Sequence, residues 1–117
     1  GEPVGDAFAQ HAGPSLRHAL TLVTMYAMDD KSPWVRLEAA RAARHMDPEA
    51  AMVLLGAAMQ RESEAQVVFM GLESLEAMAP QLDPSRVRPI LTPLLNSHDV
   101  AVRRRARDVA AALGDVS

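Results

Sequence analysis

The chain has 117 residues, 49% of them hydrophobic and 23% charged, with a net charge of -3 and no cysteine. That balance belongs to one folded domain; it excludes disulfides and thiolate metal sites and argues against a general nucleic-acid binder. Aromatics make up only 3%, while Ala and Leu dominate, which favours closely packed helices over a β-sandwich.

No apolar run approaches the roughly 18 residues that a membrane helix needs, and no signal-peptide pattern opens the chain. A soluble chain, cytoplasmic by default, is the expectation. The sequence starts at Gly1 and not at Met, and is expected to be a fragment of a longer protein.

Residues 1–13 read as a linker or N-terminal extension, from Glu2, Pro3, Gly5 and Gly13. Asp6–His11 fits a single helical turn, with Phe8 placed to cover the open end of the helices after it. The segment Pro14–Met28 reads as a first helix, with Leu20, Val23, Ala27 and Met28 at core spacing. Its Leu20-x-Leu22-Val23 run is apolar on more than one side. The protein is therefore expected to continue upstream, or residues 1–13 to fold over this helix. The same uncovered face permits end-to-end self-association.

A short pattern then occurs three times: Asp30-Lys31-Ser32-Pro33-Trp34-Val35-Arg36, Glu62-Ser63-Glu64-Ala65-Gln66-Val67-Val68 and Ser97-His98-Asp99-Val100-Ala101-Val102-Arg103. The valines are 32 and 35 residues apart, a period that marks stacked repeats. Each copy opens a helix, over roughly 33–46, 64–79 and 100–113. The columns Ala39/Gly71/Ala106, Ala42/Ser74/Val109, Ala43/Leu75/Ala110 and Met46/Met78/Leu113 fall on one face. Ser32 reads as an N-cap with Pro33 at the first helical position, Ser63 with Gln66 as a capping box, Asp99 as an N-cap, and Gly114 as a C-terminal cap.

A first helix precedes each of these. Asp47-Pro48 opens one and Asp83-Pro84 another, with Ala51/Val87, Leu54/Ile90, Leu55/Leu91, Ala58/Leu94 and Met59/Leu95 as matching columns. Pro89 and Pro93 predict a kink or a late start near Pro89. Short connections make successive helices antiparallel neighbours. The repeats are roughly 14–46, 47–79 and 83–114, within a domain of 14–117.

Over about residues 14–114 the chain resembles the HEAT-like helical repeat family (the PBS-lyase type). The resemblance is carried by Ser32-Pro33-x-Val35-Arg36-x-x-Ala39-Ala40-x-Ala42-Ala43 and by Asp99-x-x-Val102-Arg103-x-x-Ala106. The middle copy departs from it, with Val68 for the arginine and Gly71 for the alanine. The resemblance implies an all-α fold, an α-solenoid of about three antiparallel helix pairs in a right-handed superhelical stack. It also implies that Arg36 with Asp30, and Arg103 with Asp99, tie neighbouring repeats, a ladder interrupted at Val68. The role it implies is a protein-binding scaffold.

On that reading the partner-binding surface is the concave face of the second helices: Trp34, Arg36, Arg41 and Arg44, then Phe69, Glu73 and Glu76, then Arg104 and Arg107. Charge alternates basic, acidic, basic from helix to helix, which suits protein recognition or salt bridges between repeats. Glu38 stands three residues before Arg41 and can pair with it. Trp34 is either an exposed anchor or packs near Met28. The Arg103–Arg107 cluster is either a docking site for an acidic partner or nucleic acid, or a solvated end face that caps the array. His11, His18, His45 and His98 never fall at i,i+4 on one helix with a carboxylate. No Gly-x-Ser-x-Gly or Gly-rich phosphate loop is present. The expectation is thus a non-enzymatic interaction module with no metal and no cofactor. Two alternatives are a helical tail of a larger bacterial enzyme, since Leu72–Met78 is similar to such tails on sulfatases and haem proteins, and a weak nucleic-acid binder.

Overall fold

A computed structural model describes the backbone of residues 4–114 and the side chains of residues 16–114. The described residues form six α-helices and no strand: α1 (Val4–Met28), α2 (Pro33–Ala42), α3 (Pro48–Arg61), α4 (Ala65–Met78), α5 (Pro84–Leu95) and α6 (Val100–Ala112). α2 and α4 each run on into a turn of 3-10 helix, at Ala43–His45 and Ala79–Gln81.

Local chemistry explains most of the helix starts. Ser32 accepts the Val35 N–H ahead of Pro33, Asp47 accepts that of Ala50 ahead of Pro48, and Asp83 accepts that of Ser85 ahead of Pro84. Asp99 accepts the N–H groups of both Ala101 and Val102. Each oxygen satisfies a donor with no intrahelical acceptor, and each proline sits where a donor is not needed. Gly114 follows α6 with φ at 84°, a conformation that costs glycine no Cβ strain.

Three starts differ from expectation. α1 begins at Val4 and runs through Gly13 and Pro14, so the stretch read as a linker with one helical turn is mostly part of a 25-residue helix. Pro14 removes a single internal bond, and the helix continues on both sides. The side chains of Phe8 and His11 lie outside the described residues. α5 begins at Pro84, not near Pro89, and contains both Pro89 and Pro93. These prolines are four apart and exposed, so the two carbonyls they leave unpaired share one solvated side of the helix. The N-cap of α4 is Glu64, with no side-chain cap. Ser63 and Gln66 form no capping box, because the Glu62 carboxylate turns onto the Glu64 N–H instead (3.0 Å). Asp30 and Ser97, the matching residues of the other copies, accept the N–H two residues on in the same way, from Ser32 and Asp99.

α2 packs on α4 and α4 on α6. α1 lies against α2, α3 against α4, and α5 against α6; α1 also touches α3, and α3 touches α5. The core holds Ala39, Ala43, Leu72, Leu75, Ala106 and Val109 from the second helix of each pair, and Ala51, Leu55, Met59, Val87 and Leu91 from α3 and α5. Small residues set the spacing. A Cβ on Gly56 would come within 2.9 Å of Ile90, and one on Gly71 within 2.8 Å of Met59. Five of the seven methionines, Met28, Met46, Met52, Met59 and Met78, are buried.

In α1 one expected core residue faces outward. Val23 is 66% exposed, while Thr24 is buried in the column that Leu55 and Leu91 occupy. Ile90, the counterpart of Val23 in α5, packs on Gly56 of the preceding first helix α3. Leu54, the counterpart in α3, lines a groove with Thr21 and Met25 of α1. No first helix precedes α1 among the described residues, so Val23 has nothing to pack on.

Candidate partner-binding surface

The nine residues singled out from the sequence divide into those that face solvent and those that hold helices together. Arg36 is of the second kind. Its guanidinium grips Glu62 through two hydrogen bonds of 2.9 and 3.1 Å, and donates to the carbonyls of Asp30 and Lys31. Its side-chain partner is therefore Glu62, and not Asp30. Burial alone would raise the Glu62 carboxyl; the bonds from Arg36 and from the Glu64 and Ser63 amides hold it below its ordinary value. The same bonding to Glu62 raises the Arg36 guanidinium. Arg103 donates to the Ser97 carbonyl at 2.8 Å, the position that matches Asp30. It does not pair with Asp99, whose carboxylate is taken up capping α6. Val68, buried in the core, has no such bond to offer at the second corner.

Arg44 reaches across to α4, donating from Nε to the Arg41 carbonyl and to the Ser74 hydroxyl, with Nη2 3.5 Å from the Met70 sulfur. Glu73 and Glu76 turn the other way, toward α6. Both meet Arg105, at 3.4 and 3.1 Å, and Arg105 also approaches Asp108 and stacks 5.5 Å from the centroid of Phe69. Arg44, Glu73 and Glu76 are thus taken up in contacts between helices. Arg105 is their hub on α6, and sequence reasoning did not single it out. Arg105 aligns with Met70 of the middle copy, and the contacts repeat in that register, Arg44 touching Met70 as Glu76 touches Arg105.

Trp34, Arg41, Arg104 and Arg107 remain at the surface. Trp34 is 69% exposed, beside Leu37, Glu64 and Gln66 and not folded inward. Arg41 meets Glu38 at 3.5 Å, both half-exposed. Arg107 stands in the column that holds buried Ala40 and Leu72 in the earlier helices, so α6 carries charge where α2 and α4 carry core.

Two adjoining hollows run from Trp34 across to α6. One, of about 200 Å³, lies between Trp34 and Val67. The other, of about 400 Å³, is lined by Leu37, Phe69, Met70, Ala101 and Val102. Leu37 and Gln66 border both. The result is a shallow, mostly apolar trough across the N-terminal halves of α2, α4 and α6. Arg104 follows Ala101 by one helical turn, which sets it at the trough's α6 end. His18, His45 and His98 are exposed, and among the described residues no three His, Asp or Glu side chains are grouped to hold a metal ion. None of the described helices is long and apolar enough to cross a membrane. No protein-family model, curated protein or solved structure matches the chain.

Proposed function

We propose that this chain is a HEAT-like α-solenoid segment of about three helix pairs, and that it acts as a non-enzymatic scaffold binding a protein partner across its second helices. The observation that carries this reading is the trough from Trp34 to Ala101. It draws equivalent positions from α2, α4 and α6 into one apolar strip, with an exposed tryptophan at one end and, one helical turn beyond Ala101, Arg104 at the other. A docked segment would bury apolar anchors at the centre and meet charge at the rim. The repeating contacts between successive second helices support the solenoid part of the reading, since Arg44 meets Met70 in the register in which Glu76 meets Arg105.

The test is affinity capture with the wild-type chain and two exposed-site variants, Trp34→Ala and Ala101→Glu. Loss of the captured protein in both variants, with unchanged far-UV circular dichroism, is the expected result. Equal capture by both variants removes this surface from consideration.

A further inference from the structure

The bonding at Arg36 recurs, half filled, at Arg103. Arg36 places Nη1 on the carbonyl of Asp30, six residues back, and grips Glu62 with Nε and Nη2. Arg103 places Nη1 on the carbonyl of Ser97, also six residues back. Its Nε and Nη2 have no partner among the described residues. The flank of α2 that meets α4 carries Arg36, Ala40 and Arg44, bonded to Glu62 and Ser74. The matching flank of α6 carries Arg103, Arg107 and Ala111, and no helix follows α6 among the described residues. Arg107 is exposed there. Exposed Arg88 of α5, in the column of buried Met52, adds positive charge to the same end. Two acidic side chains of the α6 segment are engaged elsewhere, Asp99 on the N–H groups that open the helix and Asp108 beside Arg105.

We infer that this flank of α6 docks an acidic segment of a partner protein, whose carboxylates take the Nε–Nη2 edge of Arg103 and the guanidinium of Arg107. The Arg36–Glu62 pair is the first of these contacts, already made within the chain. The Ser97 carbonyl holds Arg103 by the same nitrogen, so the edge that receives a carboxylate is already turned outward and little side-chain freedom is lost on binding. A planar carboxylate matches that edge with both oxygens. Arg103 and Arg107 are one turn apart on one face, so acidic residues four apart on a partner helix match both. A nucleic acid fits less well. α5 and α6 contain no aromatic residue on which a base could stack, and the net charge of the chain is -3, which repels a polyanion. The surface is distinct from the trough, whose lining on α6 is Asp99, Ala101 and Val102.

Fluorescence anisotropy of the whole chain against three labelled probes tests this: an Ala-rich helical peptide with glutamates four apart, the same peptide with glutamine in their place, and a single-stranded DNA. The expected result is saturable binding of the Glu peptide, with the Gln peptide about tenfold weaker. Arg107→Glu, at an exposed site, should abolish binding of the Glu peptide. Arg103→Lys keeps the charge but loses the two-nitrogen edge, and should weaken binding about tenfold with unchanged far-UV circular dichroism. Arg17→Glu makes the same charge change as Arg107→Glu at an exposed position on α1, and should leave binding as it is. The proposal is overturned by equal affinity for the Glu and Gln peptides, by no binding of either, or by an Arg17→Glu loss as large as that of Arg107→Glu. Tighter binding of the DNA than of the Glu peptide replaces the protein partner with a nucleic acid and overturns it too.

Discussion

Ser74 donates its hydroxyl to the carbonyl of Ala40 across the α2–α4 interface, at 2.6 Å and with no exposure to solvent. Ala40 lies in the last turn of α2, where carbonyls lack intrahelical donors. The serine is small enough for its apolar column and polar enough to satisfy that acceptor, and it takes a further bond from Arg44. Ser74→Ala leaves the carbonyl without its partner in a dry interface. It should cost about 1–2 kcal/mol, read as a lower urea midpoint with an unchanged slope.

Gly71 and Met59 are predicted to be coupled. Ala at position 71 gains helix propensity worth about 1 kcal/mol, but its Cβ would crowd the Met59 Sδ and Cγ at 2.8 and 3.1 Å. Overpacking of this kind costs about 1–3 kcal/mol. Gly71→Ala should therefore destabilise the wild-type chain. With Met59→Ala already present, the same change should be stabilising. A double-mutant cycle on urea unfolding measures the coupling; additive effects would show that Met59 yields without cost.

Two adjacent arginines should separate cleanly. Arg105 holds Glu73 and Glu76 and stacks on Phe69, so Arg105→Met leaves two half-buried carboxylates without their cation and should cost about 1–3 kcal/mol. Arg104 is exposed, and Arg104→Met should change stability by no more than about 0.5 kcal/mol. Thermal melts of the two variants side by side give the comparison, with equal shifts contradicting the role assigned to Arg105.

Acid should loosen the first corner. The Glu62 carboxyl titrates below its ordinary value of 4.5 in the fold. Its stabilisation is therefore complete above that ordinary value and is lost as pH falls through the lower folded one. Arg36 stays charged throughout, so the loss belongs to Glu62. In Glu62→Gln, stability should fall less steeply between about pH 5 and pH 3 than in the wild type. Parallel acid limbs for the two proteins would place the acid sensitivity elsewhere.

The readable parts of the fold were those in which a residue answers to its own neighbours in sequence. Ser32-Pro33, Asp47-Pro48, Asp83-Pro84 and Asp99 announced four helix starts, because a cap needs only an oxygen and an N–H two or three residues on. The column Ala39, Gly71, Ala106 announced a buried face, because helical period is a property of one segment. Two local rules misled: Gly5 and Gly13 marked a linker where α1 already runs, and Pro89 allowed a late start where α5 begins at Pro84, because one glycine or one lost bond is too small a cost to end a helix that otherwise continues.

What the partner helix supplies could not be read one segment at a time. Arg36, Arg41, Arg44, Glu73 and Glu76 fell on one expected face, with partner binding and salt bridges between repeats both open to them. Only the packing of α2, α4 and α6 committed Arg36 to Glu62, Arg44 to Ser74, and both glutamates to Arg105. It also left Trp34 facing water above the trough. Val23 shows the same division: periodicity gave it a core position, and the lack of a preceding first helix among the described residues left it exposed. Helical periodicity tells which side chains share a face, and tertiary contact alone tells which of those faces has a neighbour.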